Sequence, residues 1–331
     1  MRKFSGLLWL MLMLFVLTET LAGCANSGVA AVPARIGVLT IGDSRMIKVQ
    51  GLQKGLQELG LTDEEVAFEI FNAKDNHKKL AEEALKLLEG QPDVIVVTGV
   101  VEAEALMEKL AGHKPIPVVM IGVTSPKDLQ LINGYEELGI PVTGVANGHV
   151  ELTGKRMELL HLLFPQRSRI LLLYDPRLRA SVLALERARH SVQNSYSIEP
   201  IPVSNDQDME SFHRRSFSAR ESILVLPSYF LEARFREIRD ISLEKRIPVM
   251  GLYESETEAG FTASYGLSYF DQGYQAARLV IRMLKGEAAG IPFEAPDSVR
   301  LKINVQAADY IGESVSPVGL SYGEKVYTIK E

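Results

Sequence analysis

The feature that most constrains this chain is an alternation of short apolar runs with helical-period runs, written out twice. The first round reads as strands at 35–41, 66–71, 93–98 and 117–121, separated by helices at 46–59, 77–89 and 102–111. The second reads as strands at 169–174, 198–203, 222–226 and 248–252, separated by helices at 180–194, 209–217 and 231–245. Runs such as Ile36-Gly37-Val38-Leu39-Thr40 suit strands covered on both faces. A helix with Val49, Leu52, Leu56 and Leu59 on one side supplies such a cover. Strands alternating with helices imply parallel sheets. With 331 residues the chain can build two of them. The expected fold class is α/β: two doubly wound parallel-sheet lobes joined by a multi-crossing hinge.

Ligands of such sheets bind beyond the carboxyl ends of the strands, and pockets favour domain interfaces. That rule selects residues just after strand ends. In the first lobe they are Asp43, Ser44, Thr98, Gly99, Val100, Thr124 and Ser125. In the second they are Tyr174, Asp175, Ser228, Tyr229, Tyr253 and Glu254, with Ser264 and Tyr265 from the segment that follows. Turn and cap chemistry alone would also place Ser, Asp and Gly at such points. The four tyrosines 174, 229, 253 and 265 suggest an aromatic wall that stacks on a flat ligand. The helix near Glu102 offers its positive end to a carboxylate, although Glu102 and Glu104 put negative charge there as well.

One stretch carries more specific wording. Glu258-Ala259-Gly260, Ala263-Ser264-Tyr265-Gly266, Tyr269-Phe270-Asp271, Gly273, Gln275-Ala276-Ala277-Arg278-Leu279 and Leu284-Lys285-Gly286-Glu287 resemble a segment of the substrate-binding proteins of ABC importers, tryptophan/tyrosine type. The resemblance extends more weakly from about Arg35 to Gly312. It implies a type I periplasmic-binding fold with a lobe of 34–145 plus 262–290 and a lobe of 146–261 plus 291–312, followed by a tail, 313–331. It also implies a monomeric receptor that passes a small molecule, here an aromatic or apolar amino acid, to an ABC permease and its ATPase. A sensory receptor of the same fold is the alternative. The segment 133–139 departs from the family's Pro-Gly-Gly-Asn turn.

The N-terminus reads as an address. Arg2 and Lys3 precede an apolar run from Leu7 to Leu17, too short to span a bilayer comfortably but suited to a signal peptide. Leu21-Ala22-Gly23-Cys24 matches the lipobox of bacterial lipoproteins, and Cys24 is the only cysteine. Residues 1–23 are thus expected to be a signal peptide, 24–33 a tether, and Cys24 the lipid attachment that holds the protein outside the cytoplasm. One cysteine excludes an internal disulfide.

A net charge of −6 without a basic stripe argues against nucleic acid. Gly42-Asp43-Ser44 resembles the nucleophile block of Gly-Asp-Ser hydrolases, whose base comes from an Asp-x-x-His. None of the six histidines has Asp three residues before it, so no enzyme, cofactor or metal site is expected.

Overall fold

The computed structural model describes residues 32–287 and 290–329. The signal-peptide, tether and Cys24 expectations up to residue 31 lie outside the described residues.

Five parallel strands make the first sheet, β1 Ala34–Thr40, β2 Val66–Asn72, β3 Val94–Val97, β4 Val118–Val123 and β5 Val142–Ala146. Their spatial order is β2-β1-β3-β4-β5. Helices α1 Met46–Glu58, α2 His77–Gly90, α3 Val100–Met107 and α4 Leu131–Glu137 connect them. Two apolar clusters, one holding Leu39, Leu87 and Val97 and the other Ile36, Val49 and Val96, form separate cores of this lobe. Side chains of successive residues such as Val96 and Val97 point to opposite faces of a strand, so one strand feeds both clusters.

The second sheet repeats the order and extends it. Strands β6 Arg169–Tyr174, β7 Ser197–Pro202, β8 Glu221–Val225, β9 Val249–Tyr253, β10 Ala263–Leu267, β11 Arg300–Asn304 and β12 Glu324–Val326 lie as β12-β11-β10-β9-β8-β6-β7. Only the β10–β11 pairing is antiparallel. Its helices are α5 Thr153–Leu163, α6 Arg179–His190, α7 Asp206–Arg214, α8 Tyr229–Ala233, α9 Phe235–Lys245 and α10 Glu254–Glu258. Helix α11 Tyr269–Leu284 then returns to the first lobe, and α12 Val305–Tyr310 and α13 Pro317–Leu320 complete the second.

Two boundaries differ from expectation. Residues 263–267 pair with β9 and β11, so the return crossing falls after β10 rather than at 262. Phe293 packs on a first-lobe core and the Glu294 backbone bonds Gly144 and Ala146, so the last crossing falls after 294 rather than after 290. The expected tail is also structured. Leu320 packs on the second core and Glu324–Val326 forms an edge strand, because the apolar residues there find a groove that local patterning does not reveal. The divergent segment 133–139 lies largely within α4, whose Tyr135 is buried and donates to the Ala103 carbonyl at 2.7 Å.

Helix α11 starts at Tyr269, and Ser268 caps it by accepting from the amides of Phe270 and Asp271. Ala276, Leu279, Val280 and Met283 on its inner face are buried in a first-lobe core. Burying each of the three larger side chains stabilises by about 2 kcal/mol.

Candidate functional site

The first sheet reverses direction of winding between β1 and β3, the second between β6 and β8. Such switch points open crevices at the carboxyl ends of strands. A cavity of about 640 Å3 lies where the two sets of strand ends meet. Its first-lobe wall holds Arg45 and Lys48 after β1, Asp75 and His77 after β2, and Gly99, Val100, Val101 and Glu104 after β3. Gly122 and Thr124 end or follow β4, and Asn147 and His149 follow β5. The second-lobe wall holds Asp175, Arg177 and Leu178, then Ser228 to Phe230 and Glu232, then Tyr253.

Seven of the residues chosen from strand ends line this cavity: Gly99, Val100, Thr124, Asp175, Ser228, Tyr229 and Tyr253. The other eight do not. Asp43 and Ser44 are exposed. Asp43 accepts from Lys74 at 2.7 Å, and Ser44 bonds no histidine among the described residues. Thr98 is buried and donates to Glu102 at 2.7 Å. The Ser125 hydroxyl turns to Glu151 at 3.1 Å. Tyr174 and Tyr265 pack on a second-lobe core, which reduces the expected four-tyrosine wall to Tyr229 and Tyr253, joined by Phe230. Glu254 pairs with Arg300 and Lys302, and Ser264 bonds Thr257 beneath the sheet.

What strand-end reasoning missed is a buried charged network. Arg45 is 6% exposed and its Nη1 lies 2.6 Å from Glu102. Glu102 also accepts from the Ile41 amide at 2.9 Å. Burial alone would raise the Glu102 carboxyl; Arg45, then this amide and Thr98, outweigh it and hold the group below its usual range. Glu102 lies in the first turn of α3, where its carboxylate also accepts from its own amide, and its charge there is offset by Arg45. Gly99 brings no capping side chain, so the amides of Val100 and Val101 keep their partial positive charge beside the cavity.

Arg45 also reaches across the cleft to Glu232 at 3.3 Å, and Tyr269 donates to the same carboxylate. A second bridge joins the lobes where the Tyr229 hydroxyl donates to Asp75 at 2.9 Å. The Tyr229 ring meets His77 edge-on at 5.4 Å. Tyr253 meets His149 at 4.8 Å and Tyr269 at 4.4 Å. Of the cavity acids, Asp75 holds Tyr229, Asp175 holds Arg177 at 2.8 Å and Glu232 holds Arg45. Glu104 makes no ion pair among the described residues. Among those residues no group of His, Cys, Asp and Glu has the arrangement of a metal site, and no helix is long and apolar enough to cross a membrane.

A family model described as ABC transporter substrate binding protein matches residues 35–317. A tyrosine-binding protein of Clostridioides difficile is 22% identical over 258 residues, 77% of this chain and 73% of that protein. A conserved domain protein from Vibrio cholerae superposes with a TM-score of 0.77 at 23% identity, covering 89% of this chain and 99% of the other. An ABC domain from Streptococcus pneumoniae in complex with L-Trp superposes with a TM-score of 0.74 at 20% identity, covering 89% and 100%.

Proposed function

The chain belongs to the ABC transporter substrate binding protein family, and we propose that its cleft binds an amino acid with an aromatic side chain for delivery to an import permease. Members of this family work outside the cytoplasm and present a small molecule to a membrane permease.

The observation that carries the ligand reading is the makeup of the cavity wall. The start of α3, where the amides of Val100 and Val101 meet no capping side chain and Arg45 offsets the charge of Glu102, suits a carboxylate. Glu104 lies one turn further along the same helix and is free to meet an ammonium group. Tyr229, Phe230, Tyr253, Leu129 and Leu178 supply flat and apolar surface for a ring. The relatives described as tyrosine-binding and as a complex with L-Trp support the same class. A melting-temperature screen of residues 32–331 against amino acids and sugars tests it. L-Tyrosine, L-tryptophan or L-phenylalanine should raise the midpoint by mass action on the folded state. A shift with sugars alone would reject the reading.

The Leu-Ala-Gly-Cys sequence supports a lipid anchor on Cys24 of a monomeric receptor. Labelled palmitate should enter the wild-type protein and not Cys24→Ala; equal label in both would reject the anchor.

A further inference from the structure

Lys48 is 2% exposed and lines the cavity. Its ammonium donates to the carbonyls of Thr98 at 2.7 Å and Ile121 at 3.3 Å. An ammonium has three donors, and the third finds no acceptor among the described residues. Thr98 leads directly into Gly99 and the amides of Val100 and Val101 at the start of α3, where Arg45 offsets the charge of Glu102, so the ammonium and these amides lie side by side. Arg45, from the turn before α1, adds its own charge. The acids whose charge reaches Lys48 are Glu232 of α8 and Glu102 of α3, and both are paired with Arg45. From α11, the Tyr269 ring lies 4.8 Å from the ammonium, its hydroxyl committed to Glu232. Gln272 of the same helix is neutral.

His149 lies in the crossing after β5, lines the same cavity and is 1% exposed. Arg156 Nη2 stands 3.0 Å from its Nδ1. A guanidinium only donates, so Nδ1 accepts and the ring proton sits on Nε2. Burial, then the charges of Arg156 and Lys48, keep the ring neutral. The Nε2–H has no partner among the described residues. A buried donor without an acceptor calls for an explanation such as a ligand.

We propose that Lys48 and His149 complete, with the amides of Val100 and Val101, the seat of the ligand's carboxylate. The proposal rests on reading the cavity as an amino-acid site. Burial, then Arg45, push free Lys48 down to about 7. A carboxylate beside it favours the charged form and raises it again. Above about pH 7 the bound state therefore holds one more proton than the free state, and affinity falls by up to about tenfold per pH unit. Below that pH the group is charged in both states and adds no pH dependence.

The test is calorimetric titration with L-tyrosine at about pH 8 in two buffers of different ionisation enthalpy. The wild type should take up close to one proton per ligand; Lys48→Met should take up none and bind at least about tenfold more weakly. Binding by wild type without proton uptake, with Lys48→Met unchanged, would overturn the proposal. A second arm needs no amino acid. The Lys48 Cε resonance, followed by 13C NMR against pH, should move to a higher midpoint on adding acetate. If no aromatic amino acid binds, the ligand reading fails, and this arm still decides the seat: a midpoint that acetate leaves unmoved contradicts it.

Discussion

Glu256 shows how much one enclosed carboxyl can govern. Its Oε2 accepts from the amides of Leu252 at 2.6 Å and Tyr253 at 2.8 Å, which fixes the end of β9 where Tyr253 enters the cavity wall. Burial pushes its pKa up to about 7, further than those amides and Arg156 pull it down. An unfolded glutamate titrates near about 4.3. As pH rises through that value the unfolded chain loses its proton while the folded chain keeps it, so stability falls until pH passes about 7 and then levels. Gln keeps an oxygen for the amides and never ionises. Glu256→Gln should therefore gain on wild type in urea unfolding at about pH 8 and show no such gain near about pH 4. The same difference at both values would contradict the enclosed-carboxyl view. At this scale the sequence was half readable. Ser44 and Asp43 had the right residue types directly after β1, yet the cavity takes Arg45 and Lys48 from the turn that follows. Long cations beside a helix start look like solvated surface. Only the tertiary pairing of Arg45 with Glu102 and Glu232 turns them inward.

Helices α1 and α11 come from distant parts of the chain and touch through their backbones. A Cβ on Gly273 would stand 1.8 Å from the Lys48 carbonyl oxygen, and one on Gly51 would stand 2.0 Å from that of Phe270. Neither oxygen can move without shifting a helix. Gly273→Ala should therefore lower stability by about 2 kcal/mol, in the range for overpacked cores. Because α1 carries Lys48, the same change should weaken ligand binding. An Ala variant with unchanged urea midpoint would refute the close approach. The apolar period of Val49, Leu52, Leu56 and Leu59 announced α1. The glycines were not legible as contacts, since a glycine inside a helical pattern carries no mark of what approaches it. The edge strand β12 was missed for a related reason: a three-residue strand has no period of its own, and its pairing to β11 is set by the sheet already present.

On the scale of the whole molecule, the repeated alternation carried the two lobes, because burial on both faces of a parallel sheet leaves a long sequence record. The crossings left less. Their positions depend on which sheet offers β10 an edge and which core receives Phe293. The cavity between the lobes is closed over by Tyr229 with Asp75 and by Arg45 with Glu232, side chains that no local pattern pairs. The claim that joins fold and function is that this interlobe cavity receives an aromatic amino acid. Trp9 is the only tryptophan, so the described residues contain none, and added L-tryptophan reports on itself. The direct measurement is titration of L-tryptophan emission with residues 32–331, followed by displacement with L-tyrosine. A saturable blue shift on entering the apolar wall, reversed by L-tyrosine and lost when Tyr253 is changed to Ala, is the expected result. Emission that stays that of free tryptophan, with no calorimetric heat from L-tyrosine or L-phenylalanine, would contradict it.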